Sequence, residues 1–315
     1  MPVILAGGNG FIGKNLYRKL SPDQDIKVFD ISVDREDDRH IRGNISDQRI
    51  LDTVIHENDT VVCLAGCGGG PAASGKELIK EINTDVEQTV SFFEYCGKRH
   101  IKKLIFASSG GAVYGAAGQR AVNENTVPCP ISSYGIIKLT LEYYLDLISR
   151  SYGYSGISLR ISNPYGYMQK PFTGQGIIAA YLAGASLGRT LEIWGNGSNV
   201  RDYIYINDVT EAFEKVIKKE ISGDVFNIGT GIGTSIKELA GLVQKQFPET
   251  EIKVEYKNNV ETEADYNVLD CTKAKEKIGW EAKTCLSDGL RRMLQMWNAD
   301  EGQFSGNVKQ SETDL

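Results

Sequence analysis

A tyrosine and a lysine stand four residues apart in the segment ISSYGIIKLTLEYYL, which runs from Ile131 to Leu145. Residues i and i+4 of a helix lie one above the other on the same face, so Tyr134 and Lys138 would be neighbours there. Tyrosine can act as a general acid or base, so the pair could move a proton. Most pairs with this spacing are ordinary surface neighbours, however, and the rest of the chain must decide between the two interpretations.

Glycines follow the first strand-like run of the chain, in VILAGGNGFIGKNL. Gly8, Gly10 and Gly13 match G-x-G-x-x-G, and Gly7, Gly10 and Gly13 match G-x-x-G-x-x-G. Glycines at such positions permit a tight turn and let the backbone approach a pyrophosphate, which the N-terminus of the following helix attracts. A glycine triplet alone is weak evidence, but strand, glycines and helix come in the required order and predict dinucleotide binding.

Asp30 ends the second strand-like run, IKVFD, twenty residues after Gly10. An acidic side chain at this place can accept hydrogen bonds from both hydroxyls of an adenosine ribose and would repel a 2′-phosphate. This favours NAD over NADP as the cofactor. An aspartate at the end of a strand is also common as a helix cap or in a solvated loop.

The composition excludes several classes of protein. The net charge of −6 and the absence of a basic run argue against a nucleic-acid-binding protein. The sequence opens without a signal-peptide pattern and has no apolar run long enough to span a bilayer, so we expect a cytoplasmic protein with no membrane partner.

Six cysteines without a C-x-x-C pair predict reduced thiols. None of the three histidines lies near a serine, a cysteine or a metal-ligand group, so we expect no metal and a base other than histidine.

Short apolar runs alternate with helical patterns through the first half of the chain, as in VILAG, IGKNLYRKL, IKVFDI and RILDTVI. This alternation predicts an α/β fold in which helices cover both faces of a parallel sheet. Continuous apolar runs such as VVCLA and LIFAS are typical of strands that are buried on both sides. From about Asn163 the pattern becomes irregular and rich in glycine before strand-like runs resume. A smaller lobe interleaved with the first is therefore expected.

The glycine fingerprint, Asp30 and Y-x-x-x-K occur together, and in this combination the sequence resembles the extended short-chain dehydrogenase/reductase superfamily. Within this superfamily it resembles the NAD-dependent nucleotide-sugar epimerase/dehydratase family, and in that family the UDP-glucose and UDP-GlcNAc 4-epimerases. FASSGGAVYG resembles the family's fourth strand and serine-bearing turn, and RISNPYG the segment whose asparagine holds the sugar-nucleotide phosphate. GNGSNVRDYIYINDV resembles the segment whose arginine contacts the nucleotide, and FNIGTG and LDCTKAKEKIGW resemble two C-terminal blocks. Matching blocks in this order favour the catalytic interpretation of Tyr134 and Lys138.

The resemblance implies a Rossmann-type doubly wound parallel sheet with a smaller interleaved C-terminal substrate-binding lobe. We expect residues 1–163 to form the NAD-binding Rossmann domain, completed by about residues 200–228. Residues 164–199 and 229–300 would form the substrate-binding lobe, and residues 301–315 a flexible tail. In many relatives the helix with Y-x-x-x-K joins its symmetry mate, so the resemblance also implies a homodimer.

The mechanism of the family gives each catalytic residue a role. By this resemblance, Tyr134 takes a proton from a sugar hydroxyl while a hydride leaves the same carbon for NAD+. Lys138, together with the positive nicotinamide ring, would stabilise the phenolate and hold the nicotinamide ribose. The family commonly has a serine or threonine four residues before the tyrosine of VYG. That position is Gly110 here, and we assign the hydroxyl role to Ser109.

The resemblance also implies the remaining site residues. The cofactor-binding residues are Gly7, Gly10, Phe11, Ile12, Gly13, Asp30, Asn44, Ile45, Leu64, Ala65, Gly66, Asn83, Ser108, Tyr134 and Lys138. The substrate-binding residues are Ser109, Asn163, Arg201 and Asn267, with a UDP-sugar or another nucleotide sugar as the partner. Simpler explanations exist for two of them, because Asn163 before Pro164 could begin a turn and Arg201 could pair with Asp202.

A second departure from the family lies in NNVETEADYNVLD. Relatives often carry a diphosphate-binding arginine at the position that Val260 occupies here. Lys253 or Lys257 could supply the missing cation, or the donor group of the substrate could differ.

The two residues before VYG bear on the reaction. In 4,6-dehydratases of this family an Asp-Glu pair stands there to eliminate water, whereas this chain has Gly111 and Ala112, which disfavours dehydration. We therefore expect an epimerase that acts at C4 of a UDP-hexose or UDP-N-acetylhexosamine, and the moderate size of Asn267 leaves both sugars open. The alternatives are an NAD(P)H-dependent reductase of a nucleotide-linked 4-keto-6-deoxy sugar and a non-catalytic NAD-binding protein.

Overall fold

The computed structural model describes residues 2–66, 77–115, 118–172, 176–258 and 265–299. The strands are β1 (Val3–Ala6), β2 (Ile26–Asp30), β3 (His40–Arg42), β4 (Thr60–Cys63), β5 (Lys103–Ser109), β6 (Ser155–Ile161), β7 (Asn163–Tyr165), β8 (Leu191–Trp194), β9 (Val200–Tyr205), β10 (Asp224–Ile228), β11 (Gly233–Ser235), β12 (Val254–Lys257) and β13 (Tyr266–Asn267). The helices are α1 (Phe11–Leu20), α2 (Gln48–Val54), α3 (Leu78–Glu81), α4 (Gln88–Lys98), α5 (Gly110–Val113), α6 (Ser133–Tyr152), α7 (Ile177–Ser186), α8 (Ile206–Lys218), α9 (Ile236–Gln244), α10 (Thr272–Ile278) and α11 (Leu286–Ala299). A π-helical segment, Ile82–Glu87, joins α3 to α4.

Seven strands form one parallel sheet in the order β10-β6-β5-β4-β1-β2-β3. All residues of β1 and β4 are buried, as expected for the apolar runs that both faces of a parallel sheet require. The chain winds outward from β1 in one direction and from β4 in the other. Ligands of such sheets bind beyond the carboxyl ends of the strands at this reversal point. The predicted Rossmann-type doubly wound fold is confirmed.

Successive residues of a strand point to opposite sides of the sheet, so both faces of this sheet carry apolar side chains. Helices cover both faces and bury these side chains. Leu5 of β1 belongs to the core that α1 and α8 complete, with Phe213 among its members. Its neighbour Ile4 belongs to the core that α4 and α6 complete, with Leu141 among its members. Each of these apolar side chains contributes about 1.5–3 kcal/mol by its burial, so α6 is held firmly against the sheet.

The remaining strands form two short sheets beside the main one. In the first, Arg201 of β9 pairs with Asn267 of β13 on one side and with Thr234 of β11 on the other. The same strand pairs with β7, where Tyr203 lies opposite Asn163. The second sheet consists of β8 and β12. Strand pairing therefore brings residues from three distant segments together around β9.

Helix α6 has a defined beginning and end. The hydroxyl of Ser132 accepts a hydrogen bond from the N–H of Gly135 at 3.1 Å, which caps the N-terminus. Gly153 ends the helix with φ of +78°, in the left-handed region that glycine adopts without strain. Within the ranges that the structure describes, no helix combines the length and the apolar character needed to cross a membrane.

Candidate active site

A cleft of about 600 Å³ lies at the carboxyl ends of β1, β4 and β5 and extends to β7, β9 and β13. Its size is that of a typical site for a small molecule or cofactor. The predicted site residues that line it are Gly7, Gly10, Phe11, Ile12, Gly13, Leu64, Gly66, Ser108, Ser109, Tyr134, Lys138, Asn163, Arg201 and Asn267. Cofactor and substrate residues predicted from separate blocks of the sequence thus share one cleft.

The predicted cofactor residues that do not line the cleft are Asp30, Asn44, Ile45, Ala65 and Asn83. Asp30 lies beside the glycine turn, where its Oδ2 atom accepts the N–H of Asn9 at 2.9 Å. The side-chain oxygen of Asn44 accepts the N–H of Ser46 at 3.0 Å, which forms a local turn. Asn83 is exposed on the π-helical segment. Their role in NAD binding remains a prediction.

The glycine turn is too closely packed for side chains. At Gly7, φ is +79° and a Cβ atom would lie 2.5 Å from the backbone nitrogen of Ala65. At Gly13, a Cβ atom would lie 2.5 Å from the Cα of Gly8. Helix α1 begins after Gly10, and no side chain in the described part of the chain caps it, so its first N–H groups suit an anion. The turn fits the pyrophosphate of NAD.

Tyr134 and Lys138 line the cleft from the first turns of α6. The Nζ atom of Lys138 lies 5.8 Å from the centroid of the Tyr134 ring and donates a hydrogen bond to the carbonyl oxygen of Ala107 at 2.9 Å. It also lies 4.7 Å from the centroid of the Phe106 ring. Only 5% of Lys138 is exposed, so water screens its charge little at the neighbouring phenol. This arrangement can support proton transfer by Tyr134.

The first departure from the family, Gly110, has a structural explanation. A Cβ atom at Gly110 would lie 2.5 Å from the Cδ1 of Leu269 and 3.0 Å from the carbonyl oxygen of Arg160, so a serine side chain has no space there. At Gly111 the nearest atoms to a Cβ would include the Oγ of Ser109 and the Oδ1 of Asn163, both at 3.7 Å. The hydroxyl next to the open corner of the cleft is therefore that of Ser109.

Ser108 differs from Ser109 in the direction of its hydroxyl. Ser108 is buried, and its hydroxyl donates a hydrogen bond to the Oε1 of Glu142. This hydroxyl is therefore engaged inside the protein, which limits the predicted contact of Ser108 with the cofactor to its other atoms.

Asp202 organises the side of the cleft that β9 forms. Its buried carboxylate accepts the N–H groups of Thr230, Gly231 and Leu269 at 2.9, 3.1 and 3.3 Å, and the hydroxyl of Thr230 at 2.6 Å. Burial raises the pKa of this carboxyl above its usual value. The Nδ2 of Asn163 donates to the carbonyl oxygen of Asp202 at 3.0 Å, so Asn163 is positioned by β9. Asp202 thus ties the loop after β10, the segment after β13 and strand β7 to β9.

Arg201 and Asn267 are neighbours in the cleft because β9 and β13 pair at these residues. The Nη1 of Arg201 donates to the carbonyl oxygen of Val200 at 3.0 Å. Asn267 is 3% exposed, its Nδ2 donates to the carbonyl oxygen of Gly110 at 3.1 Å, and its Oδ1 has no hydrogen-bond partner among the described residues. A buried polar atom without a partner costs about 1–3 kcal/mol, which a donor on a bound ligand would offset.

Two polar residues of the cleft were missed by the sequence analysis. The Oγ of Ser162 and the Oε1 of Gln169 are buried in the lining, and in the described ranges neither atom has a hydrogen-bond partner. Ser162 lies inside the RISNPYG block next to Asn163, so that block was the available signal. Gln169 follows in an irregular loop, where no spacing rule indicates a site.

The second departure, Val260, lies outside the described residues. Of the two lysines that could compensate for it, Lys257 pairs with Glu192 at 3.5 Å and with Glu255 at 2.8 Å. Neither Lys253 nor Lys257 lines the cleft. Compensation by these lysines therefore has no support in the geometry. No group of three or more His, Cys, Asp or Glu side chains suited to a metal ion occurs in the part of the chain that the structure describes.

Comparison with known proteins places the chain in a family. A family model described as the NAD dependent epimerase/dehydratase family matches residues 3–229. The Escherichia coli protein named dTDP-4-dehydro-6-deoxyglucose reductase is 33% identical over 308 residues, which cover 93% of this chain and 96% of that protein.

Two solved structures are similar over almost the whole chain. The UDP-glucose 4-epimerase of Thermotoga maritima, solved with UDP-glucose, has a TM-score of 0.88 at 32% identity, covering 95% of this chain and 99% of that one. The UDP-glucose 4-epimerase of Thermus thermophilus, solved with NAD, has a TM-score of 0.84 at 26% identity, covering 95% of this chain and 100% of that one. The resemblance seen in the sequence is confirmed, as is NAD as the cofactor. The chain belongs to the NAD-dependent epimerase/dehydratase family of enzymes.

Proposed function

We propose that the protein is an NAD-dependent epimerase that inverts C4 of a UDP-hexose or a UDP-N-acetylhexosamine. The observation that carries the proposal is that Tyr134, Lys138 and Ser109 line the same cleft as the glycine turn and Arg201. A proton-transfer group, a cofactor-binding turn and a cation for a diphosphate are the parts that this reaction requires.

Tyr134 is the proposed acid and base. The carbonyl oxygen of Ala107 holds the ammonium group of Lys138 near the Tyr134 ring, where it would offset the negative charge that develops on the phenol oxygen during proton transfer. The phenolate takes the proton of the C4 hydroxyl, and the hydroxyl of Ser109 donates a hydrogen bond to the C4 oxygen. NAD, which the glycine turn would hold, would supply the reversible hydride acceptor for C4. When the keto-sugar has turned over in the cleft, Tyr134 gives the proton back.

The nucleotide part of the substrate is proposed to lie along β9 and β13. Arg201 provides a guanidinium for the diphosphate, since guanidinium groups bind phosphate oxygens with two parallel hydrogen bonds. Asn267 offers its Oδ1 to a hydroxyl or an N-acetyl N–H of the sugar. UDP is the favoured nucleotide because the similar Thermotoga maritima enzyme was solved with UDP-glucose.

Dehydration is disfavoured by the corner between Ser109 and Asn163. A Cβ at Gly111 would meet atoms of both residues at 3.7 Å, so a carboxylate at this position would reach the reacting end of the cleft. Gly111 has no side chain and therefore supplies no carboxylate there. A leaving hydroxyl would lack an acid to protonate it, whereas epimerisation needs no such group.

A second candidate is a reductase of a nucleotide-linked 4-keto-6-deoxy sugar. The 33% identity with the Escherichia coli dTDP-4-dehydro-6-deoxyglucose reductase favours it. In that reaction Tyr134 would donate a proton once and the cofactor would leave oxidised. Retention of the cofactor separates the candidates, because an epimerase regenerates NAD in each cycle and a reductase consumes NAD(P)H.

The decisive experiment offers the purified protein UDP-glucose, UDP-galactose, UDP-GlcNAc and UDP-GalNAc in turn without added cofactor, and follows products by NMR. Interconversion of a C4 pair is the expected result. If none of the four reacts, NADH and a dTDP-4-keto-6-deoxyhexose are tested next, and stoichiometric oxidation of NADH would establish the reductase. Absence of both activities would leave the non-catalytic NAD-binding protein.

We also propose that two chains associate through α6. Ile136, Tyr143 and Leu147 are exposed and, at i, i+7 and i+11, lie along one side of this helix. Ile82 of the adjacent π-helical segment is exposed as well. An exposed apolar stripe of this kind is typical of an interface. Light scattering should give the mass of a dimer, and Leu147→Lys should give that of a monomer.

The division into domains is proposed along the same lines. Residues 1–163, completed by residues 200–228, hold the cofactor, and residues 164–199 and 229–300 hold the substrate.

The reaction is proposed for the cytoplasm, because the described cysteines carry free thiols, as is usual in reducing compartments.

A further inference from the structure

Glu142 continues the series of Tyr134 and Lys138 along α6 and was not recognised in the sequence. The three residues stand at i, i+4 and i+8, so they lie on one face of the helix. Glu142 is 5% exposed, and a buried carboxylate is costly unless charges and hydrogen bonds satisfy it. The proposed proton transfer does not use this carboxylate, so its burial requires another explanation.

Arg160 of β6 and Ser108 of β5 satisfy the carboxylate of Glu142. The Nε of Arg160 lies 3.1 Å from each carboxylate oxygen, and its Nη2 donates to Oε2 at 2.6 Å. The hydroxyl of Ser108 donates to Oε1. Ser108 and Arg160 are opposite each other in the sheet, so both donors come from one register position. Such a forked contact permits a narrow range of positions for the helix relative to the strands.

The strand end that Glu142 holds carries the groups of the cleft. Ser108 lies between Ala107, whose carbonyl oxygen accepts the Nζ of Lys138, and Ser109, whose side chain lines the cleft. The contact of Glu142 with Ser108 thus connects the helix that carries Tyr134 and Lys138 to the strand end that carries Ser109, and Arg160 holds the same carboxylate from the neighbouring strand β6.

The network also reaches the substrate side of the cleft. The Nη1 of Arg160 donates to the hydroxyl of Tyr114 at 2.9 Å, and this hydroxyl donates to the Oδ1 of Asn227 at 2.7 Å. The Nδ2 of Asn227 donates to the carbonyl oxygen of Asp270 at 3.1 Å, three residues after Asn267. One chain of hydrogen bonds, buried except for its partly buried last link, therefore spans from α6 to the segment that follows β13.

We propose that Glu142 and Arg160 are positioning residues that set the distance between the phenol of Tyr134 and the hydroxyl of Ser109. The inference rests on the proposed function. Apolar side chains of similar volume would fill the same space, and replacing a buried ion pair in this way is often neutral for stability. Apolar contacts lack direction, however, so α6 would stay packed on the sheet but its position relative to the ends of β5 and β6 would be less narrowly set. A displacement of 1 Å in an active site can lower a rate by about 10²-fold.

Two variants test the proposal. The double variant Glu142→Met with Arg160→Met removes the directed contacts, and Glu142→Asp keeps the charge but shortens its reach by one methylene. For both we expect a folded protein that retains NAD, with kcat reduced by about 30- to 100-fold and KM changed less than about threefold. Asp146→Asn is the matched control, because Asp146 pairs with Arg150 on the exposed side of the same helix at 2.8 Å. Its kcat should equal that of the wild type.

The results separate this inference from the proposed function. If the wild type turns over a sugar and a folded, NAD-containing variant keeps the wild-type kcat, the positioning role is overturned. If the wild type turns over no sugar, the proposed function fails. A crystal structure of Glu142→Asp then tests whether Glu142 positions the groups of the cleft. A Lys138 Nζ that still lies about 2.9 Å from the Ala107 carbonyl oxygen, with Ser109 unmoved, would refute positioning, and displacement of these groups would support it.

Discussion

The side-chain Nδ2 of Asn267 donates a hydrogen bond to the carbonyl oxygen of Gly110 at 3.1 Å, across 157 residues of chain. Leu269, on the same segment, occupies the space that a side chain at Gly110 would need. The glycine that departs from the family pattern is thus matched by the packing of β13. The departure reflects how the two segments fit together, and Ser109, which lines the cleft, remains available for the proposed hydroxyl role.

This packing predicts that restoring the hydroxyl of the family at this position is harmful. Gly110→Ser should lower the free energy of unfolding by about 1–3 kcal/mol, because its Cβ would displace Leu269. Gly111→Ala is the matched control for stability, since its Cβ would meet no atom closer than 3.7 Å. Urea denaturation of both variants provides the measurement. A Gly110→Ser protein as stable as the Gly111→Ala protein would contradict the packing argument.

Removal of the phenolic hydroxyl should separate catalysis from cofactor binding. Tyr134→Phe is expected to lower kcat by about 10²- to 10⁴-fold, because Tyr134 is the group proposed to take the C4 proton. NAD released by heat and quantified by chromatography should match the wild-type amount. Tyr144→Phe, on the exposed part of the same helix, serves as the control and should remain active. A fully active Tyr134→Phe protein would rule out the proposed mechanism.

Cofactor preference should depend on Asp30, although this residue does not line the cleft. Asp30→Ala is expected to weaken NAD binding by about tenfold or more, because hydrogen bonds to a charged group contribute about 1.5–3 kcal/mol. Binding of NADP should improve relative to NAD, since the repulsion of a 2′-phosphate is gone. Calorimetry on protein freed of cofactor measures both affinities, with Asp38→Ala in the exposed loop as the control. An unchanged ratio of the two affinities would argue against the ribose contact.

Asp202 should give a pH dependence of stability with a defined sign. Burial raises the pKa of its carboxyl in the folded protein, so the folded state holds the proton more tightly than the unfolded state does. The contribution of this group is therefore complete below its unfolded value of about 3.9 and declines as the pH rises through the raised folded value.

The comparison with Asp202→Asn isolates this contribution, because the other titrating groups cancel in the difference. The Nδ2 of the new asparagine would face the N–H groups of Gly231 and Leu269, which should cost about 1–3 kcal/mol. The difference in unfolding free energy between wild type and variant should be larger at pH 4 than at pH 8. A difference that grows with pH would mean that the folded pKa is lowered instead.

The glycine turn and the proximity of Tyr134 and Lys138 were accessible from sequence because their rules are local. Gly7 needs a positive φ and Gly13 needs contact with Gly8, and both requirements act within a few residues of the chain. Tyr134 and Lys138 stand one helical turn apart, so helix geometry alone makes them neighbours. The alternation of apolar runs and helical patterns likewise indicated the parallel sheet, since strands buried on both faces must be apolar throughout.

Other features of the site depend on contacts between distant segments, which no local spacing reveals. Leu269 excludes a side chain at Gly110, and Glu142 is satisfied by Arg160 and Ser108 only because α6 packs on β5 and β6. Compensation by Lys257 was unsupported because this residue forms ion pairs with Glu192 and Glu255 in the sheet of β8 and β12 and does not line the cleft. Residue types and short spacings were sufficient for the fold class and the cofactor, and they led to the side chains that are proposed to react. The three-dimensional packing was needed to show which hydroxyl faces the cleft and what holds it there, because hydrogen bonds and close contacts form between residues that are far apart in the chain.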